Sequence, residues 1–190
     1  IASGDPRSDS VVLWARIVDP ARGTDDLDAT LIVATDDALE DVVAEQSLTA
    51  AASHDHILKL LVKGLDANTR YYYRFVYEAD DGTRYGSRLG RTKTAAPADA
   101  EVPVKLALAS CQDFIGRYYH SYAKMLELAD ELDVVVHIGD YIYETTGDPT
   151  FQSEGTADRQ VVFSDTDGAI PFYDDKGEIT SYAAQSLSNY

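Results

Sequence analysis

Five short segments in the first hundred residues are rich in aliphatic, β-branched and aromatic side chains, and each is bounded by turn residues. They predict strands over Val11 to Ile17, Thr30 to Thr35, His56 to Val62, Tyr71 to Tyr77 and Tyr85 to Thr94. Asp36-Asp37 closes the second segment, and Asp80-Asp81-Gly82 is a hairpin turn signal between the last two. A period of two runs through the tyrosine-rich segment. It sends Tyr71, Tyr73 and Phe75 inward and Tyr72, Arg74 and Val76 to the other face. Short strands with intervening turns over this length predict an all-β sandwich.

The stretch Thr94 to Pro103 is small, proline-bearing and without periodic apolar positions, so it marks a boundary. Residues 1–95 then form the sandwich, 96–103 a linker and 104–190 a second domain. Beyond the linker the pattern becomes α/β. Val104 to Ala109 is a near-continuous apolar run, as expected of a strand buried on both faces. Tyr118 to Leu132 reads as a helix with Tyr119, Tyr122, Leu126 and Ala129 on one stripe. Asp133 to Ile138 is the next strand. A right-handed crossover makes the two strands parallel and brings Cys111 and Asp140 to one edge of the sheet, where open α/β sheets bind ligands. From Thr145 to Ser181 no helix or strand pattern persists, only isolated aromatics such as Phe151, Phe163, Phe172 and Tyr173. Ser181 to Tyr190 reads as the start of a helix.

Charge narrows the function classes. The net charge is −17, and residues 103–190 carry five Lys/Arg against fifteen Asp/Glu. Such a surface repels nucleic acid and anionic membranes. An enzyme acting on phosphate esters would need bound cations to reverse that field locally. No apolar run approaches the ~20 residues of a membrane-spanning helix. The single cysteine, Cys111, excludes an internal disulfide.

The candidate chemistry lies at the two predicted strand ends. His137-Ile-Gly-Asp-Tyr-Ile-Tyr-Glu144 follows the run Val134-Val135-Val136. Gly139 lets the backbone turn and frees the carboxylate of Asp140, which can bridge two cations or, alternatively, cap a turn. Tyr143, three residues on, offers a phenolate, a hard donor suited to a hard trivalent ion. Two readings stand for Cys111, a buried small hydrophobe or a metal ligand. A cysteine nucleophile is disfavoured, because the following Gln112 to Arg117 is no glycine-rich anion loop and carries Asp113. His54 and His56 are surface or strand residues, and His120 lies near the first helical turn. His137 suits a core or supporting role, and Glu144 either supports the site or is a solvated charge.

Two stretches carry resemblances. Leu65-Asp-Ala-Asn-Thr-Arg-Tyr71 resembles the corner of fibronectin type III domains, where a tyrosine hydroxyl bonds back to the preceding loop. Ala67 stands where that family often has proline. Ile1-Ala-Ser-Gly-Asp-Pro6 and Asp9-Ser-Val-Val-Leu-Trp-Ala-Arg16 resemble the opening of alkaline phosphatase D (PhoD-type) enzymes. Ala109-Ser-Cys-Gln112 and the His137–Glu144 run are similar to that family's first two metal motifs. The correspondence covers Ile1 to about Glu144.

The resemblance implies a calcineurin-like metallophosphoesterase preceded by a fibronectin-like domain. It implies that Cys111, Asp140 and Tyr143 bind Fe3+, with Asp140 bridging to Ca2+. It further implies hydrolysis of phosphomonoesters and phosphodiesters by metal-activated hydroxide, in some members phospholipase D-like, and export by the twin-arginine route. Metallophosphoesterases draw further His and Asn ligands from later strands. This chain has no histidine after His137 and no Gly-Asn-His-Glu run. The expectation is therefore the N-terminal part of a longer enzyme, inactive alone, its partner being the C-terminal remainder. The alternative is a non-catalytic sandwich binding or adhesion module with a remnant α/β segment.

Overall fold

The structure, a computed structural model, describes residues 1–115, 118–145 and 161–189. Phe151 and Tyr190 lie outside the described residues, as does the Gly116-Arg117 end of the loop weighed against a cysteine nucleophile. The chain divides into two compact units, Ile1–Val102 and Pro103–Tyr190.

The first unit is made of strands β1 (Ala2–Gly4), β2 (Ser10–Arg16), β3 (Leu27–Ala34), β4 (Val42–Ala50), β5 (Ile57–Lys63), β6 (Arg70–Glu78), β7 (Arg84–Gly86) and β8 (Gly90–Lys93). One sheet has the order β1-β2-β5; the other has β4-β3-β6-β7, with β8 also paired to β6. All of these pairings are antiparallel. The predominance of strand is consistent with a β-sandwich. Alternate residues of both sheets meet in one core, including Val11, Leu13 and Val62 from one and Leu31, Val33, Tyr71 and Phe75 from the other. Each such aliphatic side chain contributes about 1.5–3 kcal/mol by leaving water.

β6 follows the expected alternation. Tyr71, Tyr73, Phe75 and Tyr77 are buried, while Tyr72, Arg74 and Val76 are half-buried. The Tyr71 hydroxyl accepts a hydrogen bond from the backbone N–H of Asp66 at 2.8 Å, the loop-back contact read from the Leu65–Tyr71 stretch.

Three details differ from the sequence reading. β4 was not expected; most of its residues are exposed, so no clear apolar alternation marks it. The strand expected over Tyr85 to Thr94 is two, because Ser87 interrupts it. The Ser87 N–H donates to the Phe75 carbonyl (2.8 Å) and its Oγ accepts from the Phe75 N–H (3.1 Å). His56 precedes β5 rather than opening it. Its backbone is left-handed (φ 51°) and its buried ring places Nε2 2.8 Å from the Asp25 carbonyl.

The second unit holds β9 (Leu106–Ala109), α1 (His120–Glu127), β10 (Val134–His137), β11 (Ile170–Tyr173) and β12 (Ile179–Ala183). β9 and β10 pair in parallel, Leu106 opposite Val134 through Ala109 opposite His137, as the crossover argument requires. The expected burial on both faces is corrected: Leu106, Leu108, Val135 and Val136 are exposed. Among the described residues this unit has a two-stranded parallel sheet and a single α-helix, too little to cover both faces. The helix is shorter than the predicted span. Leu126, on its expected apolar stripe, is 77% exposed, whereas Tyr119, Tyr122 and Ala129 are half-buried.

The segment read as patternless contains the antiparallel hairpin β11–β12, with Ile170 opposite Ala183 and Phe172 opposite Ser181. Nor does Ser181 begin a helix. It lies in β12, and only a 3-10 turn follows at Leu187–Asn189. Pro171 and the bulged register obscured the alternation. Among the described residues, no helix is long and apolar enough to cross a membrane.

Candidate metal centre

The parallel ladder of β9 and β10 runs on past both strands. Ile138 N–H donates to the Ala109 carbonyl (2.9 Å), Cys111 N–H to Gly139 (3.1 Å) and Gln112 N–H to Asp140 (2.8 Å). These bonds hold the two strand exits side by side. Gly139 has φ 131°, a conformation open to glycine because it lacks Cβ. Asp140 (φ 53°) and Cys111 (φ 59°) both take left-handed backbone, uncommon for residues with side chains. Strain of this kind, paired across two adjacent exits, gathers at sites where side chains must be aimed.

The aim is mutual. Cys111 Sγ donates to Asp140 Oδ2 at 3.3 Å, and the Tyr143 hydroxyl donates to the same oxygen at 3.5 Å. The three residues singled out in the sequence are thus brought together around one carboxylate oxygen. Cys111 is exposed rather than a buried hydrophobe. Tyr143 is 42% exposed and its pKa is pushed up to about 12. Hydrogen bonding with Cys111 is the main cause, followed by loss of solvation and the negative charge of Asp140. Without a cation, the phenol keeps its proton.

The donor set fits a cation. Ligands about 2.0–2.3 Å from an ion and at right angles around it stand about 3 Å apart, close to the separations seen here. Thiolate, carboxylate and phenolate together suit a highly charged, hard or borderline ion. Both side-chain contacts use Oδ2 of Asp140, and Oδ1 takes no part in them. Among the described residues no group of three or more His, Cys, Asp and Glu converges as a metal site, so a three-donor centre here depends on the tyrosine.

The other candidates lie around this point. His137 is half-buried, its Nε2 has no hydrogen-bond partner among the described residues, and its ring meets Tyr141 edge-on at 5.2 Å. The Glu144 side chain is exposed, but its backbone carbonyl accepts from Ala184 N–H at 2.8 Å. Thr145 forms an antiparallel bridge to Ala183. The hairpin is therefore stitched to the segment just after Tyr143. Sequence reasoning missed this, although Asp174-Asp175-Lys176-Gly177 between two apolar segments is a usable turn signal. His120 opens α1 and is exposed, and His54 sits in an exposed 3-10 turn.

Comparison with known proteins decides the family. The profile of the PhoD-like phosphatase N-terminal domain matches residues 1–96, and that of PhoD-like phosphatase matches residues 106–170. The chain belongs to the PhoD-like phosphatase family. It is 39% identical over 150 residues to alkaline phosphatase D of Bacillus subtilis (strain 168), an alignment covering 76% of this chain and 24% of that protein. A solved structure described as "Structure of PhoD" superimposes with a TM-score of 0.67 at 39% identity. That match covers 75% of this chain and 27% of the solved one. The chain thus spans about a quarter of the PhoD-like proteins it matches.

Proposed function

We propose that this PhoD-like chain forms the first part of a metal-dependent phosphoesterase acting on phosphomonoesters or phosphodiesters. In this reading residues 1–95 are a fibronectin type III-like sandwich, 96–103 a linker and 104–190 the opening of a calcineurin-like metallophosphoesterase domain. The observation that carries the reading is the meeting of Cys111 Sγ and the Tyr143 hydroxyl on Asp140 Oδ2.

Cys111, Asp140 and Tyr143 would hold Fe3+, and Asp140 would also serve Ca2+. Bound there, the cations supply positive charge for the phosphoryl oxygens and acidify a water molecule. The chain's own residues do the positioning. Left-handed backbone at Cys111 and Asp140 aims both side chains outward, and the continued ladder fixes their separation. Further ligands come from outside this chain, so the chain alone is inactive. Export of the folded enzyme by the twin-arginine route suits a preassembled metal centre.

The test is metal analysis and phosphate release on the full-length protein, with and without Asp140→Asn. Iron and calcium lost together with hydrolysis would support the reading. Retention of both metals and full activity in the variant would sink it. Activity that survives thiol alkylation with metals retained removes a cysteine nucleophile.

A further inference from the structure

The three residues of the candidate metal centre are not held alike. The ladder beyond β9 and β10 fixes Cys111 and Asp140 directly, through Cys111 N–H to the Gly139 carbonyl and Gln112 N–H to the Asp140 carbonyl. It stops there. Among the described residues, Tyr141, Ile142 and Tyr143 make no backbone-to-backbone hydrogen bond. The Tyr143 hydroxyl reaches Asp140 Oδ2 at 3.5 Å, a long contact for an O–H donor.

The next anchor lies one residue further on. The Glu144 carbonyl accepts from Ala184 N–H at 2.8 Å, and Thr145 forms an antiparallel bridge to Ala183. Tyr143 thus sits between two fixed points, the Asp140 carbonyl before it and the Glu144 carbonyl after it. The second point is supplied by the base of the β11–β12 hairpin, since Ala183 is also the partner of Ile170.

A two-stranded hairpin by itself is marginally stable in water, so the base must be held if it is to hold anything else. Asn189 does this with its whole amide. Its Oδ1 accepts from the N–H groups of Gln185 (3.0 Å) and Ser186 (3.1 Å), which follow β12. Its Nδ2 donates to the carbonyls of Asp165 (2.9 Å) and Asp167 (3.3 Å), which precede β11. An asparagine side chain has no further capacity than these two donors and two acceptor positions. Asn189 is 2% exposed, so water competes little for the four bonds.

We propose that the β11–β12 hairpin is a positioning strut for Tyr143, attached through the Ala184 N–H and clamped at its base by Asn189. The inference rests on the metal-dependent reading above. A ligand already fixed in the free protein loses less freedom when a cation binds, so each bond that fixes it raises affinity. Ala184 and Asn189 act through the backbone of the Glu144–Thr145 segment, as positioning residues.

The experiment reads iron affinity by chelator competition, and the visible spectrum, on the iron-loaded full-length protein. Ala184→Pro deletes the N–H given to Glu144 and spares the β11–β12 ladder, which ends one residue earlier. It is expected to weaken iron binding about 10–100-fold, the usual cost of losing a supporting partner. The tyrosinate-to-iron band shifts and weakens, while the thiolate-to-iron band of Cys111 stays. Asn189→Ala, which leaves the Ala184 N–H in place, moves both readouts in the same direction. Ala184→Gly keeps the donor and the wild-type spectrum. Asp174→Ala loosens only the tip turn, where Asp174 Oδ1 accepts from the N–H groups of Lys176 and Glu178, and it leaves the tyrosinate band unchanged. Wild-type affinity and spectrum in both Ala184→Pro and Asn189→Ala would overturn the strut alone. So would an equal loss in Asp174→Ala, or loss of the thiolate and tyrosinate bands together in both base variants. A wild type that binds no iron, or binds it without a tyrosinate band, would remove the assignment of Tyr143 as a ligand, and the strut with it.

Discussion

Cys111 and Asp140 are 29 residues apart in sequence, yet the thiol of one donates to the carboxylate of the other at 3.3 Å. Two strands, two left-handed residues and a backbone ladder that outlasts the strands produce this contact. In the full-length protein, Asp140→Asn and Cys111→Ser are each expected to weaken metal binding by more than about 100-fold, since even supporting residues commonly cost 10–100-fold. Tyr143→Phe removes the phenolate donor, and any tyrosinate-to-iron absorption band disappears with it. Competition with a chelator and a visible spectrum of each variant check this.

Tyr71 ties the sandwich corner through its hydroxyl. Replacing it with phenylalanine keeps the ring, which is 2% exposed, but strips the Asp66 N–H of its acceptor. The expected loss is about 1–2 kcal/mol, read from urea denaturation with an unchanged m-value.

Gly90 is packed face-on against Tyr73. A methyl group there would sit 2.3 Å from the ring's Cζ, and the ring is buried in the core. Gly90→Ala is therefore expected to cost about 1–3 kcal/mol or more through overpacking. Thermal unfolding measures it, and Gly4→Ala, which meets nothing within 4 Å, is the matched control.

Asp36 accepts backbone hydrogen bonds from Asp41 (2.6 Å) and Glu40 in the turn between β3 and β4. These bonds, Asp41 first, hold its pKa below the ordinary carboxylate value of 3.8. A lowered folded-state pKa means that the turn's stabilisation is fully present above the ordinary value. It is lost as pH falls through the folded-state one. An NMR titration of the Asp36 carboxyl is expected to show a midpoint below 3.8, and Asp36→Asn to abolish the acid loosening of the turn.

The strands that survived the reading from sequence share a property. β2, β3, β5 and β6 each bury alternate side chains, so their period is written in residue type. β4 is largely exposed and left no such trace, because its strand state comes from hydrogen bonds to β3 rather than from burial. β11 and β12 hid for the same reason, with Pro171 and a bulge added. Overlong estimates at α1 and β9 came from apolar residues that this chain leaves in water.

At the site the division is sharper. Asp140 stood out in the sequence because a glycine-aspartate pair after an apolar strand has few other uses, Tyr143 only by its spacing from it, and Cys111 stayed open between a buried small hydrophobe and a ligand. Sequence also determined the sandwich pattern and the crossover that puts both strand exits on one edge, because local periodicity and chain handedness act without distant partners. Only the tertiary structure decided that two donors, the Cys111 thiol and the Tyr143 hydroxyl, meet on one oxygen of Asp140, and that a hairpin is bridged to the segment just after Tyr143. Those facts depend on backbone bonds between segments far apart in the chain, at angles that no residue type encodes alone.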